Sequence, residues 1–212
     1  MVMYAKYIKR LLDIVLSVIA LPFALMISLV LIPCIYFEDK GSPFYNAPRL
    51  GKDGKIFIMY KFRSMKVNAP DIRNADGSTF NSDNDPRVTK VGRFIRKTSL
   101  DEIPQIINVL KGDMSFIGPR PDLPDALKVY TGNEAKRNSV RPGITGYSQA
   151  YFRNNIELRE RFRQDVYYAE NVSFALDFKI LVKTIGTVLR GRNVYRNGSE
   201  KTAANPKKDQ KT

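Results

Sequence analysis

The sequence contains no histidine, no tryptophan and a single cysteine. Without histidine the commonest general base near neutral pH is missing. Cys34 lies inside an uncharged apolar run, the wrong setting for a nucleophile. One cysteine also excludes an intrachain disulfide framework and fits a cytosolic setting for the polar part of the chain. Carboxylates are therefore the strongest candidates for acid–base or covalent chemistry. They are themselves scarce: 21 Asp and Glu stand against 35 Lys and Arg, a formal net charge of +14. Such a balance predicts an anionic partner: a nucleic acid, an anionic membrane surface or a phosphorylated substrate. No helix-turn-helix, zinc-finger or RNP pattern is present, which argues against nucleic acid. There is no internal repeat.

Residues 14–37 carry no charge. A straight helix over them would run roughly 36 Å, enough for a hydrocarbon core of about 30 Å. Lys6, Lys9 and Arg10 precede the run as cytoplasmic flanking charge. The run is too long for a cleaved signal peptide, and no small-residue cleavage site follows it. A buried helix of a soluble protein fits the same composition. A simple span would put everything after residue 38 outside the cell, yet the downstream region is basic and reads as a phosphate site. Pro22 and Pro33 each remove a backbone donor and clash with the preceding turn. A helix broken there is able to return to the face it entered from. A kinked single span satisfies the prolines equally.

The expected fold class is α+β and mainly helical: a proline-broken, re-entrant membrane helix, then a small cytoplasmic domain of short strands and amphipathic helices. Residues 1–40 form the membrane element, 41–190 the folded domain and 191–212 a basic flexible tail. Phe44-Tyr45 and Lys55 to Phe62 read as strands, and residues 67–87 as a polar loop. A helix is expected from Leu100 or Ile103 to Lys111, with Gly112 at its C-terminus. Two more helices follow at 156–170 and 174–190. On the second, Phe174, Phe178, Leu181, Val182, Ile185, Val188 and Leu189 share one face, which reads as core packing.

Asp101 and Glu102 are adjacent carboxylates in a basic neighbourhood, Arg96-Lys97-Thr98-Ser99-Leu100-Asp101-Glu102. Cations lower a carboxylate's pKa and also attract phosphate, so the pair points to phosphoryl chemistry. The same residues fit an S-x-x-E capping box, Ser99 to Glu102. Arg87, Arg96, Arg120 and Arg141 lie beside proline or glycine or just before the pair, and read as an anion clamp. Asp83-Asn84-Asp85 has the D-x-D form of a metal–nucleotide site and equally the composition of a turn. Asn171-Val172-Ser173 matches a glycosylation acceptor, which has no meaning in the cytoplasm.

Six segments carry a family resemblance. They are Lys9-Arg10-Leu11-Leu12-Asp13, Tyr60-Lys61-Phe62-Arg63-Ser64-Met65, Asp85-Pro86-Arg87-Val88-Thr89, Thr98 to Gln105, Leu110 to Pro121, and Arg141-Pro142-Gly143-Ile144-Thr145-Gly146. Over roughly residues 9–190 the chain resembles the monotopic phosphoglycosyl transferases, bacterial sugar transferases that begin glycoconjugate assembly. The resemblance implies transfer of a sugar-1-phosphate from a UDP-sugar to polyprenyl phosphate, with release of UMP. It implies Asp101 as covalent nucleophile with Glu102 as its partner, a Mg2+ requirement met by these two residues, and substrate contacts from Lys61, Arg96 and Arg120. It further implies a re-entrant helix in the bacterial inner membrane, a cytoplasmic catalytic domain, and downstream glycosyltransferases as possible partners. The family often breaks its membrane helix at a Ser-Pro pair. Leu25-Met26 stand in that place here, and Pro22, one turn earlier, follows Leu21. Two other readings fit part of the pattern: a D-x-D glycosyltransferase releasing UDP, and a non-enzymatic basic protein bound at the membrane surface.

Overall fold

The computed structural model describes residues 3–72, 80, 82, 84–152 and 156–189. The expected tail at 191–212 and Asp83 lie outside them. A long helix α1 (Lys9–Asp39) follows a π turn at Tyr4–Ile8. An antiparallel hairpin β1 (Phe44–Leu50) and β2 (Ile56–Phe62) comes next, then α2 (Lys90–Thr98) and α3 (Gln105–Lys111). Two short strands, β3 (Ser115–Ile117) and β4 (Gly143–Thr145), pair in parallel; α4 (Tyr147–Tyr151), α5 (Leu158–Glu170) and α6 (Phe174–Leu189) are the remaining helices among the described residues.

Between Lys9 and Asp39 there is no glycine, and aliphatic residues dominate, so only the prolines oppose a helix. Each deprives one carbonyl, four residues back, of its donor. The neighbouring bonds carry the helix across both, and α1 is continuous through Pro22 and Pro33. The interruption expected there is not present. Ser28 Oγ donates to Ala24 O at 2.6 Å, a back-bond between the two carbonyls the prolines free, those of Val18 and Leu29. The helix ends at Lys40, whose left-handed φ of 54° and amide bond to Tyr36 O close the last turn. From Tyr4 to Asp39 this is a 36-residue helix, long and apolar enough to cross a membrane by length and composition.

Both ends of α1 are fastened to the same domain. Near the start, Arg10 donates to Val109 O and Leu110 O at the C-terminus of α3, at 2.6 and 2.8 Å. One turn on, Asp13 accepts from Ser115 Oγ and Phe116 N on β3. At the far end, Glu38 accepts from Lys90 N and Val91 N, capping α2, while Asp39 forms a bidentate pair with Arg63, both contacts 2.6 Å. Leu31 and Ile35 pack with Phe62 and Ile95 in a buried cluster. Between these anchors Val18, Ile19, Phe23, Leu25, Met26, Leu29 and Val30 are all exposed.

The hairpin extends the first expected strand by five residues, because Phe44 to Leu50 pairs in register with Phe62 to Ile56. Its inward residues Phe57 and Met59 meet Val109 and Met114. The two motif loops expected around Gly118 and Gly143 meet as the β3–β4 pair. A Cβ on Gly143 would lie 2.1 Å from Gly118 N, so only glycine permits this approach.

α2 was not expected. Thr89 Oγ1 caps it by accepting from Gly92 N at 2.9 Å, and Ile95 is fully buried. The apolar stripe of α6 is a correction. Phe174, Phe178, Leu181, Val182 and Ile185 face outward, exposed by 59%, 57%, 37%, 55% and 52%. The buried face carries Asp177 and Ile180 instead. A 3.6-residue period identifies a face but not what covers it. Asn171 Nδ2 donates to Tyr167 O at the end of α5, so the acceptor-like triplet is a helix terminus.

Candidate active site

Asp101 and Glu102 occupy a 3₁₀ turn, Leu100–Glu102, between α2 and α3. Ser99 terminates α2 in a left-handed conformation, φ 59°. Its side chain makes no cap, and the expected capping box does not form. The reason is geometric: a capping residue takes an extended backbone, whereas Ser99 is left-handed. The Glu102 carboxylate instead meets two cations, Lys61 Nζ at 3.1 Å and Arg120 Nη1 at 3.2 Å. Lys61 Nζ also donates to Asp101 Oδ2 at 3.1 Å. One ammonium therefore bridges both carboxylates, and all three side chains are largely buried.

Burial alone would push the Glu102 carboxyl up. The charges of Lys61 and Arg120, with their hydrogen bonds, outweigh it and hold the group below the usual carboxylate range. Arg120 is pushed above its ordinary value, chiefly by Glu102. Its side chain stays 42% exposed, so a guanidinium already paired to the dyad also faces outward.

Lys61 reaches the dyad through an arrangement that sequence reasoning missed. Asn108, on α3 and fully buried, presents its amide to the edge of β2. Its Oδ1 accepts from Tyr60 N at 3.0 Å and its Nδ2 donates to Ile58 O at 2.7 Å. The helix that follows the dyad thus grips the strand that carries Lys61. A polar residue inside Ile106-Ile107-Asn108-Val109-Leu110 was the available signal.

Of the expected site residues, Lys61, Asp101, Glu102 and Arg120 come together. Arg96 sits on the last turn of α2, with Nε bonded to Ser64 Oγ at 2.8 Å. Arg141 Nε donates to Gly112 O at 2.8 Å, at the far end of α3. Arg87 is buried and turned inward, on Asp85 at 2.7 Å and on the carbonyls of Pro70 and Phe80. Asp85 is fully engaged by Arg87, which leaves the second acid of the D-x-D form committed to a buried ion pair.

Mg2+ takes oxygen donors and is commonly held by one or two carboxylates together with substrate phosphates. Asp101 and Glu102 fit as such a partial set, one carboxylate from each, beside the amine that now bridges them. Among the described residues no group of three or more potential metal-binding side chains assembles.

A model of the bacterial sugar transferase family matches residues 4–191. A sugar transferase of Bacillus subtilis, EpsL, is 43% identical over 189 residues, covering 89% of this chain and 91% of its own. The galactosyl transferase CpsE of Streptococcus agalactiae is 42% identical over 191 residues. The undecaprenyl-phosphate galactose phosphotransferase of Salmonella typhimurium is 40% identical over 202 residues. The chain covers 86% and 90% of itself in these two matches but spans only 42% of the length of either relative.

Proposed function

The chain belongs to the bacterial sugar transferase family, and from that membership and the geometry of its site we propose that it transfers a sugar-1-phosphate from a UDP-sugar to polyprenyl phosphate and releases UMP. The observation that carries the reading is the buried pair Asp101–Glu102, bridged by Lys61 and joined by an outward-facing Arg120. The naming of the Salmonella relative as an undecaprenyl-phosphate phosphotransferase supports the acceptor class.

In this mechanism an Asp101 carboxylate oxygen attacks the sugar-linked phosphorus. A P–O bond to Asp101 forms, and the bond to the bridging oxygen breaks, so UMP leaves with that oxygen. A polyprenyl phosphate oxygen then attacks the same phosphorus and frees Asp101, giving a polyprenyl diphosphate sugar. The covalent step lets a soluble donor and a lipid acceptor use one site in turn. Lys61 and Arg120 stabilise charge on the phosphoryl oxygens, Arg120 through its planar fork. Bound Mg2+, held by Asp101 and Glu102, would add charge neutralisation at the diphosphate. Glu102 holds Lys61 and Arg120 in place for this work. Arg96 and Arg141 belong to the flanks of the site, and Arg87 to its scaffold.

The exposed apolar middle of α1 supports association with a membrane, and its two anchored ends support entry and exit on one face. A straight helix of this length spans about 54 Å, so ends tied to one small domain favour a bent, re-entrant course. The cytoplasmic face of the bacterial inner membrane is where UDP-sugars are met. There the outward stripe of α6 and the net charge of +14 suit an anionic lipid surface. Enzymes that extend the lipid-linked sugar would consume the product.

Identifying the released nucleotide tests the proposal. Purified protein in detergent with a UDP-sugar panel and polyprenyl phosphate should release UMP. Release of UDP would assign the chain to glycosidic bond formation.

A further inference from the structure

Behind Arg120 lies a cationic side chain that the mechanism does not use. Arg137 is only 1% exposed, on a short 3₁₀ segment, Glu134–Ser139. It pairs with Asp122 and with Asp165, and its Nη2 donates to the backbone carbonyl of Arg120 at 2.9 Å. Tyr130 and Phe162 present their rings to the same guanidinium, centroids 5.9 and 5.0 Å away. The other contacts of Asp122 fix it as well: Tyr130 Oη at 3.0 Å, Arg161 Nη2 at 3.2 Å, and Leu50 N on its carbonyl at 2.8 Å. Asp165 is held in turn by Ser148 Oγ at 2.7 Å.

The consequence falls on one short segment. Pro119 and Pro121 restrict φ on either side of Arg120, and Pro119 O accepts from Gly143 N at 2.9 Å. Arg137 pins the carbonyl of Arg120 and the carboxylate of Asp122. The Arg120 side chain pairs instead with Glu102. A buried ion cluster is a poor source of stability compared with apolar packing, whereas a rigid fork is well suited to fixing a backbone at several points at once.

Resting on the transferase reading, we propose that Arg137 is a positioning residue for the reaction: it fixes the backbone from which Arg120 reaches Glu102 and the substrate phosphate. Arg137→Lys keeps the charge but cannot hold Asp122, Asp165 and the Arg120 carbonyl together. It should lower kcat/KM for the UDP-sugar about tenfold, the scale of one hydrogen bond to a charged group. In an Arg120→Ala background the same change should have no further effect. Equal losses in both backgrounds, or a lowered Tm with unchanged kinetics, would overturn the proposal. Tyr130→Phe keeps both ion pairs while loosening the cluster. If Arg137→Lys does not fold, Tyr130→Phe must show a smaller loss that again disappears without the Arg120 side chain, and a loss that persists overturns the proposal. A crystal structure of a folded variant separates this from the transferase reading. Arg120 should have moved beyond hydrogen-bond distance of Glu102, even if the wild type proves inert with UDP-sugars. An unmoved Arg120 contradicts the positioning role whatever the activity.

Discussion

Lys61 and Asp101 are 40 residues apart in sequence and 3.1 Å apart in space. The pairing is not left to two flexible side chains. Lys61 lies next to the end of β2, whose backbone is held by Asn108, and Asn108 lies on the helix that follows Asp101 and Glu102. The dyad and its shared cation are thereby set by one helix–strand contact.

Replacing Lys61 tests the electrostatics. Glu102 is burdened by burial and held below the usual carboxylate range by Lys61 and Arg120. A depressed folded pKa contributes stability that is present above the unfolded value and lost as pH falls through the folded value. Lys61→Met should raise the Glu102 pKa. The window between the unfolded and folded values then narrows, so acidification should cost the variant less stability than it costs wild type. Denaturant midpoints across pH 3 to 7 in chelator would show it; superimposable profiles would mean Lys61 does not govern this carboxylate.

Asn108→Leu should cost about 3 kcal/mol, because the Tyr60 amide and Ile58 carbonyl would be buried without partners. It should also lower kcat/KM, since Lys61 loses its register. Urea unfolding and kinetics measure the two together. A stable variant of full activity would refute the coupling of β2 to α3.

Topology is tested by single cysteines at Met3 and Lys52, on a Cys34→Ser background. Both positions are exposed and lie beyond opposite ends of the long helix. In intact cells an impermeant thiol reagent should label neither, and after permeabilisation both. Labelling of one alone in intact cells would show a true span.

The sequence located the dyad, the α3 terminus at Gly112, and α5 and α6 nearly to the residue. Those elements rest on local signals: adjacent charges, a left-handed glycine and a clear 3.6-residue period. What it missed depends on packing between distant segments. α2, Lys-Val-Gly-Arg-Phe-Ile-Arg-Lys-Thr, has weak intrinsic helix propensity and is held by the Thr89 cap, by Glu38 and by buried Ile95. Arg87 reads from sequence as one arm of an anion clamp and Arg137 carries no local signal, and only the fold shows both to be buried in ion pairs. Asn108 differed from its apolar neighbours in polarity alone. The continuity of α1 through two prolines likewise lay beyond local rules, because a long apolar run outweighs two missing bonds.

The transfer mechanism rests on Asp101 as a covalent nucleophile. The most direct measurement is intact and peptide mass spectrometry after incubation with a UDP-sugar in the absence of acceptor. The wild-type protein should gain the mass of one sugar phosphate on the peptide containing Asp101, with an equivalent of UMP released. Asp101→Asn should show neither, while keeping a wild-type unfolding curve. Turnover by Asp101→Asn, or UMP release only when donor and acceptor are present together with no adduct on the protein, would contradict a covalent intermediate on Asp101.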